Sequence, residues 1–467
     1  MKNLILSTDS YKLSHYLQYP PKTEYVFSYI EARGNRSGLD IEGTLFFGLQ
    51  GFIKKYLLKP ITVDDINEAE EIVTKHGLPF NREGWEYIVQ KYDGYLPLEI
   101  KAVREGHLVP FSNVLVTVEN TDPKLYWLTS YIETALLRAV WYPTTVATIS
   151  FYMKRIIKKY LDLSCDSPDE VLPFKLHDFG ARGASSSESA EIGGAAHLVN
   201  FMGTDTIESI RWLMKYYNTD VPAFSIPAME HSTVTAWGTT PETEKAAFKN
   251  MIQKFAGENK IYACVSDSFN LYNAVEKTWG EDLRYDVISS GGTVVIRPDS
   301  GDPVKVTEDV IEILGKKFGY TKNKKGYKVL HPAVRIIQGD GVDPKTINAI
   351  LANYLRKGWS AENITFGIGG ALLQKVNRDT FYFAMKASNI TVDGKSYPIY
   401  KRPQTDLSKQ SKKGKMKLVK VINSFETVPD TGWYDYDSDI FTTVYKNGEL
   451  LVDDSLDTIR KRSEEYI

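Results

Sequence analysis

Cysteine is almost absent from this 467-residue chain: Cys165 and Cys264 are the only two, and neither has a CxxC neighbour. That excludes a disulfide framework and a cysteine-built metal cluster. The seven histidines show no HExxH or HxxxH spacing, which removes a histidine-built metal site as well. Long apolar runs are missing too. No window approaches the roughly 18 uninterrupted apolar residues of a membrane span. The apolar stretch in MKNLILSTDSYK is too short for a signal sequence and runs straight into Asp9, so a cytoplasmic protein with no membrane partner is expected. Nor is there an excess of one charge, with 57 basic and 59 acidic residues and a net charge of -2. Such a balance steers neither a polyanion nor an anionic leaflet to the surface, and no nucleic acid is expected as a partner. What remains is 42% hydrophobic residues with eight Trp, enough to build a packed core. The length suits two domains, or one barrel with a large accessory part.

Two grammars divide the chain. Residues 1–140 read as mixed α+β: YVFSYIEAR (25–33) and LEIKAVREG (98–106) have strand character, and DDINEAEEIVTKHG (64–77) reads as a helix. Residues 385–467 return to short strands and turns, with NG at 447–448 and a basic stretch, SKQSKKGKMK, at 408–417. The two ends are expected to form one accessory α+β sheet domain, with 141–384 as an α/β domain between them. There a buried apolar strand repeatedly meets a polar or glycine-rich tip and then an amphipathic helix. FKLH leads to DFGARG (178–183), YACV to SDS (266–268), VVI to RPDSG (297–301), VRII to QGDG (338–341) and ITF to GIGG (367–370), while FSIPAMEHS (224–232) is a less regular member. Helical faces lie between, as at Phe248, Met251, Ile252 and Phe255, or Ile347, Ile350, Leu351, Tyr354 and Leu355. Thr307, followed by Glu308 and Asp309, reads as a helix start. Tips recurring every ~30–50 residues fit successive βα units of a parallel sheet. Six in line without a reversal favour a barrel over an open doubly wound sheet.

In such folds the chemistry sits at the strand ends. Arg297 of RPDSG can fork onto a phosphate, and Asp299 can accept from sugar hydroxyls or hold Mg²⁺. The same five residues also make a good type I turn. QGDG sets Asp340 between Gly339 and Gly341, so backbone N–H groups and a carboxylate can approach one ligand, although this too is a common turn. GIGGALL offers free N–H groups to a phosphate at Gly369 and Gly370, without the dinucleotide-binding glycine pattern. Phe179 and Arg182 suit a flat heteroaromatic ring beside a phosphate, or Phe179 is simply core. His231 is a general base, a nucleophile or a satisfied core histidine. LLVDDS (450–455) imitates a phosphoribosyl-diphosphate loop, but no glycine follows it, and Asp453–Ser455 are expected to cap the last helix.

Taken in order, TDSYK (8–12), KLHDFGARG (175–183), GTDT (203–206), EHST (230–233), RPDSG, QGDG, FGIGGALLQK (366–375) and NRD (377–379) resemble the nicotinamide phosphoribosyltransferase family over almost the full chain. The resemblance implies a type II phosphoribosyltransferase fold, a (β/α) barrel-like core with an accessory sheet domain, working as a homodimer with shared active sites. It implies transfer of phosphoribosyl from PRPP to nicotinamide, with Mg²⁺ bound mainly through PRPP or pyrophosphate and ATP as an optional co-substrate. Carried over by residue, nicotinamide stacks between Phe179 of one subunit and Tyr11 of the other, with Asp205 accepting from its carboxamide and Asp9 nearby. Arg297, Asp299, Gly339 and Asp340 hold the ribose and phosphate portion, and Gly369 and Gly370 meet the 5′-phosphate. Arg182, Arg33, Arg378 and Lys386 face phosphate or pyrophosphate, and His231 is the histidine that ATP phosphorylates. Three positions depart from the family pattern: Ala181, Ile368 and Asn270. The last stands where relatives often carry Asp near the histidine, which leaves His231 a neutral partner. Nicotinate phosphoribosyltransferase is the alternative enzyme. A non-catalytic dimeric ligand-binding or signalling protein is the alternative of another class, and Arg297, Asp299, Asp340 and Arg378 speak against it.

Overall fold

The structure is a computed structural model that describes residues 3–405, 410–422, 424–431 and 439–467. The chain forms two compact units. One comprises Met1–Thr148, Trp212–Asp220 and Val376–Tyr466; the other comprises Ile149–Arg211 and Val221–Lys375. The borders read from the sequence, 140/141 and 384/385, differ from these. The first division falls inside one continuous helix, Glu133–Ser164, where the sequence has no break in pattern to mark it. The Trp212–Asp220 excursion left no trace in the sequence reading either.

The first unit is built on a seven-stranded sheet in the order Lys395–Pro398, Phe383–Val392, Thr23–Ala32, Val114–Asn120, Leu98–Ala102, Thr442–Lys446, Glu449–Leu450. The recorded pairings in it are antiparallel. Thr23–Ala32 is rich in β-branched and aromatic residues and buried along most of its length, as a strand flanked on both sides requires. The NG turn joins the last two strands, with Asn447 and Gly448 both at positive φ, the geometry of a two-residue hairpin loop. The helix Val63–Lys75 starts on a capping box in which Thr62 and Asp65 exchange hydrogen bonds. Ser455 caps the last helix, Leu456–Glu464, whereas Asp453 pairs with Lys54 and Asp454 with Arg104 and Arg462. Part of the basic stretch, Ser408 and Lys409, lies outside the described residues. Its Lys412 pairs with the buried Glu31.

The second unit carries a six-stranded parallel sheet ordered Gly203–Thr204, Leu176–Asp178, Ile364–Ile368, Val334–Gln338, Thr293–Arg297, Ile261–Val265. The irregular segment FSIPAM links its two edges: Phe224 bridges Gly203 and Ala228 bridges Ala263, both parallel. Pro222 and Pro227 lack the N–H a full ladder needs, so this stave pairs only at isolated points. The sheet is thereby curled into a barrel, as six tips in line suggested. Both faces of the strands are buried. Ala263, Val295 and Ile337 point inward and pack with Phe179 and Ile226, while Val294, Ile296 and Ile336 are fully buried beside them. Phe248, Met251 and Ile252 are buried on the helix Pro241–Phe255, but Phe255, at its end, is exposed. The helix expected to open at Thr307 begins earlier, at Pro303, with Asp302 accepting from the N–H groups of Val304 and Lys305. Asp followed by Pro is itself a strong start signal. Thr307 is instead buried in the second turn. No helix among the described residues is long and apolar enough to cross a membrane.

Candidate active site

Each tip of the parallel unit is shaped by what its neighbours leave open. Phe179 follows its strand directly, its N–H donating to the Ile368 carbonyl (2.8 Å). Its ring lies across the neighbouring strand end at Gly367, where a Cβ would stand 2.0 Å from the ring. Only glycine fits there. The ring rests on the apolar floor of Ala263, Val295 and Ile337 and is only partly buried, so it is core on one side and open on the other. Beneath it, Asp178 is fully buried and accepts from Gly180 N–H at 2.7 Å, pinning the turn. Burial raises its pKa, the nearby Thr206 hydroxyl and the Gly180 N–H oppose the rise, and the charge of Asp205 adds to it.

Asp205 stands exposed at the next tip, one oxygen accepting from the Ser225 hydroxyl at 2.6 Å. The pairing follows from the backbone, because Thr204 N–H donates to the Phe224 carbonyl and brings the two loops side by side.

RPDSG is more than a turn. Arg297 places Nε and Nη2 on the two oxygens of Asp299 (3.2 and 3.0 Å), a fork-on-carboxylate pair. A Cβ added at Gly339 would lie within 4 Å of Asp299, Phe179 and Arg297 alike, so that glycine keeps open the spot where the three converge. Asp340 is exposed beside it, its carbonyl held by the Gln338 side chain at 2.7 Å. The turn carrying Arg182 abuts the glycine pair: a Cβ at Gly183 would approach Gly370 Cα at 3.2 Å. Arg182 itself is exposed.

His231 opens the helix His231–Thr235 with its side chain 46% exposed. Nδ1 lies 3.0 Å from Ser268 Oγ; Nε2 faces Asp299 Oδ2 at 3.5 Å and Asp267 Oδ1 at 3.8 Å. The neutral partner expected from Asn270 is therefore a misreading. Asn270 caps the following helix by accepting from Asn273 N–H, and the groups that face the imidazole are two carboxylates. Asp267 escaped the sequence reading, although SDS had been placed at a strand end. Its side chain is only 4% exposed. Oδ2 accepts from Asp299 N–H and from Ser300, and Oδ1 is buried with no hydrogen-bond partner. An acid after a buried strand was the signal; nothing in the sequence tied it to His231.

Five of the candidate residues belong to the antiparallel unit. Tyr11 is 59% exposed on the 3-10 helix Ser10–Leu17, edge-on to His15, and Asp9 accepts from Thr134 at 2.6 Å. Arg33, Arg378 and Lys386 gather at one place. Tyr29 pairs opposite Lys386, and Arg33, just past the end of that strand, lies near enough for its charge to act on Lys386. Burial lowers the Lys386 pKa, Glu133 opposes that, and the charges of Lys401, Arg33 and Arg378 push it further down. Lys401 and Glu133 were not anticipated.

A carboxylate pair already engaged by an arginine and backbone is poorly suited to cage a metal, and no group of three metal-ligating acids, histidines or cysteines occurs among the described residues.

Comparison with known proteins agrees over the whole chain. Residues 174–441 match the family model described as the nicotinate phosphoribosyltransferase (NAPRTase) family. Residues 3–100 match that of the nicotinamide phosphoribosyltransferase N-terminal domain. A nicotinamide phosphoribosyltransferase of Xanthomonas campestris pv. campestris is 48% identical over 469 residues, covering 99% of this chain and 98% of the relative. One of Acinetobacter baylyi is 33% identical, covering 98% and 97%. Among solved structures, a nicotinate-nucleotide pyrophosphorylase from Pyrococcus furiosus aligns with a TM-score of 0.62 at 16% identity, covering 99% of this chain and 95% of that one. Human nicotinic acid phosphoribosyltransferase aligns at 0.60, also at 16% identity, covering 98% and 93%. At that identity the two structures speak for the fold alone.

Proposed function

We propose that this chain, which belongs to the nicotinamide phosphoribosyltransferase family, transfers the 5-phosphoribosyl group of PRPP to nicotinamide, giving nicotinamide mononucleotide and pyrophosphate for NAD salvage. The observation that carries the reading is the convergence at Gly339: an aromatic ring, an arginine and a carboxylate meet around one open backbone position. In the reaction the bond from the ribose anomeric carbon to the diphosphate oxygen breaks and one from that carbon to the pyridine nitrogen forms. Positive charge develops on the sugar and negative charge on the leaving diphosphate. Arg297, held flat by Asp299, and Asp340 orient the ribose and its phosphate. Gly369 and Gly370 leave room for the 5′-phosphate, with Arg182 beside them. Arg33, Arg378 and Lys386 supply cations for the departing diphosphate, and Mg²⁺ bound to that diphosphate would add further charge neutralisation there. The pyridine nitrogen needs no deprotonation, so alignment on Phe179 does most of the work.

Asp205 sets the substrate. Its free oxygen accepts from a carboxamide N–H and repels a carboxylate, which favours nicotinamide over nicotinate. Tyr11 and Asp9 serve the site of a second copy, in a homodimer with shared active sites; a tyrosine ring left 59% exposed by its own unit suits that role. His231 takes a phosphoryl group from ATP as an optional drive. Asp267 and Asp299, at 3.8 and 3.5 Å, stabilise the positive charge the ring then carries.

The test is a product assay with PRPP and Mg²⁺, offering nicotinamide or nicotinic acid, each with and without ATP. Mononucleotide and pyrophosphate are expected from nicotinamide, faster with ATP. Asp205→Asn is expected to raise the KM for nicotinamide about tenfold, the loss of one charge-assisted hydrogen bond. Absence of pyrophosphate release sinks the enzyme reading. Unchanged nicotinamide kinetics in the variant sink the role of Asp205, and an ATP effect that survives His231→Ala sinks the phosphohistidine.

A further inference from the structure

The strand Thr23–Ala32 runs beside Phe383–Val392 with Ala32 opposite Phe383. One more rung would set Arg33 opposite Tyr382. The ladder breaks instead. Arg33 and Gly34 both donate their N–H groups to the Phe381 carbonyl (3.1 and 3.4 Å), and Tyr382 turns into the left-handed region at φ +52°. Of the non-glycine residues in that region among the described ones, Tyr382 is the sole aromatic. A bulky side chain there is strained and persists only where its surroundings over-determine it.

Those surroundings are arginines. The Tyr382 carbonyl accepts from Arg33 Nε at 3.4 Å. Its ring carries the Arg36 guanidinium, 4.2 Å from the centroid, and Arg36 N–H donates to the Thr380 carbonyl at 2.8 Å. The residues just before it form the 3-10 turn Arg378–Thr380, closed by a capping box from Asn377. One strained residue thus holds two arginines and lies four positions after a third, Arg378. The like charges around it are costly to assemble. Lys386 is depressed by burial and by three cations, and the nearby Glu133 is already bonded to Lys12 at 2.5 Å. Arg378 is paired with the exposed Asp379 at 3.1 Å, and the positive charge left over from Arg33, Arg36 and Lys386 suits an anion of more than one charge.

We propose that Tyr382 is a positioning residue: its left-handed backbone and Arg36-loaded ring set the separation of Arg33 and Arg378 for a diphosphate. The inference rests on the reading that Arg33, Arg378 and Lys386 face the diphosphate of PRPP. It adds a residue pair, Arg36 and Tyr382, that touches no substrate and acts through the arginines on either side of the broken ladder. A bulge that re-aims flanking side chains is the general device.

Tyr382→Asn separates the roles, because Asn tolerates the left-handed region and keeps the carbonyl while removing the platform for Arg36. It is expected to fold with a melting temperature no lower than the parent's and to raise the KM for PRPP about fivefold, with the KM for nicotinamide unchanged. Tyr382→Phe, which keeps the ring, is expected to match the parent. Arg36→Ala is expected to reproduce Tyr382→Asn, and the double variant to add nothing further. If Tyr382→Asn fails to fold, Arg36→Ala alone decides. Wild-type PRPP kinetics in Arg36→Ala and Tyr382→Asn, beside a raised KM in Arg378→Ala, overturn the positioning role and leave the diphosphate reading standing. Wild-type PRPP kinetics in Arg378→Ala as well overturn both.

Discussion

In the parallel unit every candidate group stands within a few residues of a strand's C-terminal end, so position in the fold and position in the sequence coincide. In the antiparallel unit Arg33 and Lys386 come from opposite ends of the chain and meet because two strands, Thr23–Ala32 and Phe383–Val392, happen to be paired. The first unit to be legible was therefore the one whose sites are local. Successive βα units each present their own tip, and a tip announces itself by a glycine or charge after a β-branched run. Antiparallel pairing across some 350 positions leaves no local mark.

Complementation between two variants decides whether the two units serve different copies of the chain. Arg297→Ala and Tyr11→Ala should each cost at least about a hundredfold in kcat/KM alone, the scale for losing a preorganised electrostatic or stacking group. Co-refolded in equal amounts they should recover about a quarter of wild-type activity, because half the dimers are mixed and each mixed dimer keeps one intact site. No recovery would place Tyr11 in its own chain's site.

A smaller effect tests the gathered cations. The Lys386 ammonium is held below its usual range by burial and, against Glu133, by Lys401, Arg33 and Arg378. It therefore loses its proton earlier as pH rises, and a neutral amine no longer attracts a diphosphate. The KM for PRPP should climb several-fold from neutral to alkaline pH. Lys386→Arg, which stays charged, should flatten that climb. A pH profile identical in the two proteins removes Lys386 from the site.

Smallest is an effect on stability confined to the antiparallel unit. Asp122, 2% exposed, accepts from Tyr87, Lys91, Tyr92 and the Lys124 N–H. Burial by itself would raise the carboxyl, but those hydrogen bonds win and hold it at about 2. A depressed folded pKa contributes stability above the unfolded value of about 4, and that contribution is lost as pH falls through 2. Asp122→Asn should lower the melting temperature by a few degrees at pH 7, and the gap to the parent should close toward pH 2. A gap that does not change with pH would mean that packing, not charge, is what Asp122 contributes.

Where reading the sequence went wrong, either a stronger signal a few residues away or a partner distant in the chain prevailed. Thr307 with its two acids looked like a helix start, yet Asp302 and Pro303 carried the stronger signal and Thr307 became a buried second-turn residue. Asn270 looked like the histidine's partner and is a cap, while Asp267, three residues earlier, faces the ring. The RPDSG and QGDG tips were legible as binding or turn elements. Their convergence through Gly339 was not, because it depends on the neighbouring placement of two parallel strands. Tyr382 was invisible, since nothing in FYFAMK marks a left-handed backbone.

The pairing of Thr23–Ala32 with Phe383–Val392 also has a consequence in time. At about 5–20 residues per second, the second strand leaves the ribosome roughly 20–70 s after the first. Val114–Asn120 arrives early and can cover one side of Thr23–Ala32. The other side, destined for full burial, waits as an open edge through the synthesis of the whole parallel unit. The newborn chain is thus most vulnerable to edge-to-edge association along the strand that later sets its cations in place.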